Sequence, residues 1–322
     1  MFTENKSISI SSLGETKLIT QIRRWLGDVT PPSPEGMGDD CAVVTVPQGK
    51  QILTSDSLSY GQHFDHNIDP KDAGAKLIKR NLSDIAAMGG YPSHALLTLL
   101  CGGDLHLDWL SEFIKGVREN CEYYKVRLVG GDISSLPLGQ FSSVLSLYGY
   151  LEQDPLLRSG SQSGDAIYVT GSLGGSRISK HCNFLPRLAE GRWLAESGVC
   201  SALIDLTDGI AKDLRELVPK LCAAYLTLER IPISESAQEI ATRSGCAPIE
   251  HAFCDGEDYE LLFTVKEGYD TKNFEEAWTA RFPETALNRI GQMRPSKSGA
   301  PYIDEATGKD IPWTKGFEHF SE

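Results

Sequence analysis

No apolar stretch in these 322 residues approaches the roughly 20 that a helix needs to cross a bilayer. Positive charge is in deficit: 31 Lys plus Arg face 44 Asp plus Glu, for a net charge of −13. Such a chain has no electrostatic basis for binding nucleic acid or an anionic membrane. The eight cysteines, at 41, 101, 121, 182, 200, 222, 246 and 254, form no C-x-x-C pair, which argues against zinc or iron–sulfur ligation. The opening residues, MFTENKSISISS, are polar and hold no signal-like apolar core. Reduced thiols and a cytoplasmic location are therefore expected. There is no G-x-S-x-G, no H-E-x-x-H, no Walker A pattern and no protein-kinase motif. His63-Phe64-Asp65-His66 has metal-ligand spacing but no further Cys or His ligand nearby.

The length fits two medium domains, and the polar stretch 152–164 is the best boundary, which divides the chain into 1–152 and 153–322. Leu18, Ile19, Ile22, Trp25 and Leu26 share one helical stripe that Gly27 ends. Short strands are expected near 42–46 and 51–55. Asp69-Pro70 reads as the cap and first residue of a helix running to Gly89-Gly90. A β segment at 94–101, a helix at 108–124 and strands at 126–130 and 141–151 complete the first half. The second half opens with a glycine-bounded buried strand at 164–171. Helices follow near 186–197, 209–221, 234–245 and 271–281, with strands near 223–229, 258–265 and 286–292. Strands and helices mixed in each half point to α/β or α+β layers.

Aspartate is plentiful beside glycine or small residues. Five segments carry it: Gly38-Asp39-Asp40, Thr54-Ser55-Asp56, Asn81-Leu82-Ser83-Asp84, Gly130-Gly131-Asp132 and Asp205-Leu206-Thr207-Asp208-Gly209. Any single one reads as a turn or cap, and Asp208 could simply cap a helix starting at Gly209. Carboxylates that converge from strand ends, however, repel one another unless a cation lies between them. Magnesium, hard and oxygen-liganded, suits five such segments together. Gly171-Ser172-Leu173-Gly174-Gly175-Ser176 follows a strand and is a weaker candidate for cradling phosphate.

Taken in order, GDDCA at 38–42, TSDSL at 54–58, NLSDIAAMGG at 81–90, GGD at 130–132, RSGSQSGDAIYVTG at 158–171, DLTDGIAKDL at 205–214, GEDYELLF at 256–263 and W-x-K-G-F-x-H-F at 313–320 resemble the thiamine-monophosphate kinase family over nearly the whole chain. The resemblance implies a two-domain α/β fold like that of aminoimidazole ribonucleotide synthetase. Its N-terminal sheet domain would dimerise, a C-terminal α/β domain would follow, and ATP would lie between. It implies magnesium ligands at Asp40, Thr54, Ser55, Asp56, Asp84, Asp132, Asp205 and Asp208. It implies ATP contacts at Arg158, Thr207, Gly131 and Tyr123 or Tyr124, and thiamine phosphate contacts at His63, Glu257 and Trp313. This chain departs from the family at Cys254-Asp255, where Ser-Gly is usual, at Ile133, where Thr is usual, and in the shortened stretch 182–187.

The activity implied is direct transfer of a phosphoryl group from ATP to thiamine phosphate. The acceptor oxygen is already ionised at pH 7, so no base is required, in keeping with a chain rich in acid and poor in catalytic His or Cys. Other enzymes of the same superfamily, a metal-dependent phosphatase and a non-catalytic nucleotide-binding regulator are the competing readings. Residues 1–37 hold no Cys, which argues against selenophosphate synthetase.

Overall fold

The computed structural model describes residues 1–37, 41–178, 180–296 and 299–317. Asp40, implied by the resemblance as a magnesium ligand, and the end of the 313–320 tail motif lie outside the described residues. The chain forms two compact units, Met1–Ile85 with Tyr91–Glu152, and Ala86–Gly90 with Gln153–Glu322.

The first unit contains α1 (Glu15–Leu26), β1 (Gln51–Ser59), all but the last two residues of α2 (Pro70–Ala87), β2 (Tyr91–Gly102), α3 (Leu107–Tyr124), β3 (Arg127–Leu136) and β4 (Phe141–Tyr150). Leu18, Ile22 and Leu26 bury one face of α1, and Gly27 ends it at φ 58°. Ile19, placed on the same stripe from the sequence, stays exposed. Asp69 caps α2 as expected, accepting the Lys71 amide at 2.8 Å. The sheet order is β1-β4-β2-β3. Only β2 and β3 run parallel, joined by the α3 crossover. Burial alternates strictly along β4. Phe141, on its buried side, meets Trp109 and Phe113 of α3 with ring centroids 5.0 and 5.2 Å away. The opposite face carries the exposed Leu53 and hydroxyl pairs such as Ser59–Ser142 at 2.8 Å. Residues 42–46 form no strand: β1 pairs only with β4, so Val43 and Val46 find no ladder and remain exposed.

The second unit contains β5 (Ala166–Thr170), α4 (Lys180–Asn183), α5 (Leu188–Ser197), β6 (Cys200–Asp205), α6 (Ile210–Leu217), β7 (Cys222–Leu226), α7 (Glu235–Ser244), α8 (Pro248–Cys254), β8 (Leu261–Val265), α9 (Thr271–Arg281), β9 (Leu287–Pro295) and β10 (Tyr302–Asp304). Its mixed six-stranded sheet has the order β10-β7-β9-β5-β8-β6. Every residue of β5 and β8 is buried, because helices cover both faces. Ile167 and Val169 join Leu214 of α6 and Phe253 of α8 in one cluster. Tyr168 turns the other way, onto Phe274 of α9 at 5.5 Å. Burying each such side chain contributes about 1.5–3 kcal/mol. The helix expected over 209–221 stops at Leu217, because Val218 precedes Pro219 and adopts an extended conformation. The strand expected from 258 begins only at Leu261, since residues 256–260 form a kinked loop. Among the described residues no helix is long and apolar enough to cross a membrane.

Candidate functional site

In the first unit, α2 lies beside β1. Even-numbered β1 residues point to the helix side, ending at the fully buried Leu58. Thr54 Oγ1 thus donates a short hydrogen bond to Asp84 Oδ2. The Asp56 amide donates to Asn81 Oδ1 at 3.1 Å, and Arg80 Nε stands 3.7 Å from Asp56 Oδ2. Arg80 is fixed in turn by donating to the Ser57 carbonyl at 2.8 Å. Thr54 and Asp84 therefore meet directly, while Asp56, on the same strand face as Thr54, is held by Asn81 and Arg80. The Ser55 hydroxyl does not join them: it lies on the opposite face, 3.1 Å from Ser146 Oγ. His63 Nδ1 accepts the Ser59 amide at 3.0 Å, which places the proton of the neutral ring on Nε2 as a donor.

Asp56 and Asp132 lie within strands rather than beyond strand ends, which corrects the expected convergence on one sheet edge. Asp132 pairs in register with Thr98, which pairs with Val144, which pairs with Ser57, so it shares the open face with Ser57. Strands β1 and β3 are opposite edges, three spacings or roughly 14 Å apart. Gly131 is required because a Cβ there would sit 1.7 Å from the Leu97 carbonyl oxygen. Tyr123, one residue before the end of α3, is exposed. Among the described residues, no three Asp, Glu, His or Cys side chains form a metal-ready group.

In the second unit, β6 ends at the buried Asp205, and a turn leads into α6. Asp208 does not cap that helix. Asp213 serves the turn instead, its Oδ2 accepting the amides of Thr207 and Asp208, each at 2.9 Å. Burial pushes the Asp213 carboxyl up to about 7, against the pull of those amides. The Asp208 carboxylate meets Lys212 Nζ at 2.7 Å. The tail lies against the same turn: the Phe317 amide donates to the Asp208 carbonyl at 3.0 Å. Trp313 packs 5.3 Å from Phe253 at the edge of the core. Arg158 is exposed.

Residues 256–260 run beside the Leu206–Asp208 turn, with Glu257 and Tyr259 donating to the carbonyls of Thr207 and Leu206, both at 2.8 Å. Glu257 and Tyr259 have φ values of 57° and 51°. Left-handed conformations cost non-glycine residues on the order of 1–3 kcal/mol each and persist only where the surroundings impose them. The Glu257 carboxylate accepts from Tyr259 OH at 3.4 Å and lies 3.7 Å from His181 Nδ1 and 4.0 Å from Arg177 Nε.

The glycine-rich segment 171–176 is not an open phosphate cradle. The Gly174 amide already donates to Asp258 Oδ1 at 2.9 Å, and the Gly175 amide to Asp255 Oδ2 at 2.8 Å. At Gly171, φ 62°, a Cβ would press within 2.1 Å of Glu260 Oε1. The buried Glu260 accepts from Arg187 through two nitrogens at 2.7 and 2.8 Å, from Lys180 at 2.7 Å and from Thr170 at 2.6 Å. Burial alone would raise the Glu260 pKa, but these cations hold it below the usual range.

A family model described as "AIR synthase related protein, N-terminal domain" matches residues 38–150. The thiamine-monophosphate kinase of Rhodopirellula baltica is 40% identical over 240 residues, covering 71% of this chain and 75% of that protein. The chain belongs to the thiamine-monophosphate kinase family. The Buchnera aphidicola member, from Acyrthosiphon pisum, is 35% identical over 312 residues, covering 89% of this chain and 92% of its own. The structure of AaThiL complexed with AMPPCP and TMP matches with a TM-score of 0.72 at 29% identity, covering 99% of this chain and all of that one. In this thiamine-monophosphate kinase family member, Asp213, Asp258 and Glu260 lie in motifs noted from the sequence without a role of their own, Asp255 was noted only as a departure, and His181 was not noted. An acid in the first turn of a helix was a usable signal for Asp213. Nothing local distinguishes His181.

Proposed function

We propose that this chain transfers the γ-phosphoryl group of ATP to thiamine phosphate, giving thiamine diphosphate and ADP. The observation that carries this reading is the near-complete match to a family member that binds AMPPCP and TMP. The reaction is direct and in line. A phosphate acceptor loses its second proton near pH 6, so its oxygen is nucleophilic at neutral pH without a base. What remains is to align two anionic groups and to offset their repulsion.

Thr54, Asp56 and Asp84 are hard oxygen donors already gathered on one sheet face, which fits magnesium. Asp40, Asp132, Asp205 and Asp208 complete the proposed ligand set, and Ser55 contributes through its main chain. Bound magnesium would neutralise phosphate charge and hold the reacting groups in line. Arg158, exposed in the second unit, pairs with ATP phosphate, and Thr207, Gly131 and Tyr123 contact the nucleotide. His63 donates from Nε2 to the acceptor phosphate. Glu257 faces the thiazolium cation, and the free side of Trp313 stacks on a substrate ring.

We assign residues 1–152 to metal and nucleotide binding and to dimerisation, and 153–322 to completing the site. The open sheet face with Leu53 supports a homodimer through that face. Asp132, exposed on this face and distant from Asp56, would then serve the assembled dimer. Eight free thiols support a cytoplasmic enzyme. Purified protein with ATP, magnesium and thiamine phosphate should yield equal amounts of ADP and thiamine diphosphate on chromatography. Release of thiamine without ATP would instead establish a phosphatase.

A further inference from the structure

The proposed acceptor-binding Glu257 lies in the most constrained loop of the second unit. Gly256, Glu257 and Tyr259 all have positive φ, at 72°, 57° and 51°. The residue between the two non-glycine positions, Asp258, is completely buried. Its Oδ1 accepts from the Gly174 amide at 2.9 Å and from Ser176 Oγ at 2.5 Å, while its Oδ2 has no hydrogen-bond partner among the described residues. A buried carboxylate with one oxygen unpaired is costly to keep, and two flanking left-handed residues add to that cost. Such a combination persists where it serves a purpose beyond packing.

The surroundings show what it holds. Asp258 fastens the loop to the glycine-rich segment on one side, and Asp255 adds a second bond to Gly175. The amides of Glu257 and Tyr259 fasten it to the 206–207 turn on the other. Between these attachments Glu257 adopts its left-handed φ, and its carboxylate meets Tyr259 OH, His181 and Arg177. Without the Asp258 bonds, the loop keeps its attachment to the 206–207 turn but loses its main tie to the glycine-rich segment, and the Glu257 carboxylate gains freedom to reorient.

We propose that Asp258 is a positioning residue that sets the direction of the Glu257 carboxylate for recognition of the cationic acceptor. The role rests on the kinase reading above. Its test uses full-length wild type, Asp258→Ala, Asp258→Asn and Ser176→Ala. Michaelis constants for thiamine phosphate and for ATP are measured separately, together with melting temperatures. Asp258→Ala should raise the thiamine phosphate constant about tenfold and leave the ATP constant unchanged. Asp258→Asn keeps an oxygen that accepts both bonds, so the rise should shrink to about twofold. Ser176→Ala, which removes one bond, should give about threefold and decides the matter if Asp258→Ala does not fold. An unchanged thiamine phosphate constant, or equal rises in both constants, overturns the role. Wild type that does not phosphorylate thiamine phosphate overturns the kinase reading itself, and the role with it.

Discussion

The two acidic regions of this molecule are built in opposite ways. In the first unit, Thr54, Asp56 and Asp84 project from a strand and a long helix, so regular backbone geometry sets their directions, with the Thr54–Asp84 hydrogen bond and Arg80 beside Asp56 adding to it. In the second unit, Thr207, Asp208 and Glu257 sit on loops, and buried carboxylates behind them supply the rigidity. Loops carry ligand contacts readily but need outside support to be precise. Substitutions in the first region should therefore remove chemistry and spare the fold, whereas those behind the second should disturb both.

Asp84→Asn offers the largest expected effect and the sharpest test of the first half. Turnover should fall by about two orders of magnitude or more. The melting temperature should hold or rise, because the neighbouring Asp56 carboxylate loses a repelling charge. Near-normal turnover at low magnesium would remove Asp84 from the site. Asp213→Ala should behave differently. It strands two amides and should lower stability to urea by about 2–4 kcal/mol, while raising the magnesium concentration needed for half-maximal rate. Asp213→Asn should recover most of both, since one oxygen accepts both bonds.

Trp313→Ala probes a second-unit residue that packs on the core and is proposed to meet substrate. The thiamine phosphate constant should rise about tenfold, the equivalent of about 1.4 kcal/mol. Because the indole also packs on Phe253, the melting temperature should fall as well. A melting shift with an unchanged constant would make Trp313 an anchor only. The smallest effect concerns protons. Burial raises the Asp258 pKa from 3.8 to about 6. The native chain then holds this proton more tightly than the unfolded chain. The associated stability is complete below pH 3.8 and is lost as pH rises to about 6. Asp258→Asn should flatten that part of the stability profile, as urea midpoints across the window would show.

What could be read from the sequence follows the same division. The α2 cap and the buried β5 strand rest on local patterns that the structure retains, whereas Thr54 and Asp84, 30 positions apart, were linked only by the family resemblance. Asp132 was readable as a motif but not by face, because a one-residue register places it opposite Asp56 and no local signal sets register. The glycine-rich segment looked open because the carboxylates that occupy its amides arrive from residues about 80 positions later. Glu257 was nameable by resemblance, yet its left-handed backbone depends on tertiary contacts that no short window contains. The short α8 was missed because Pro248, which reads as a breaker, serves instead at the first helical turn.

The central claim is that an acid-rich site holding magnesium would align two phosphates for direct transfer with no covalent enzyme intermediate. ATP made chiral at the γ-phosphorus with oxygen isotopes tests it most directly, through the configuration of that phosphorus in the thiamine diphosphate formed. The account predicts inversion, from a single in-line displacement. Retention, from two displacements through a phosphoenzyme, or the absence of labelled thiamine diphosphate, would contradict it.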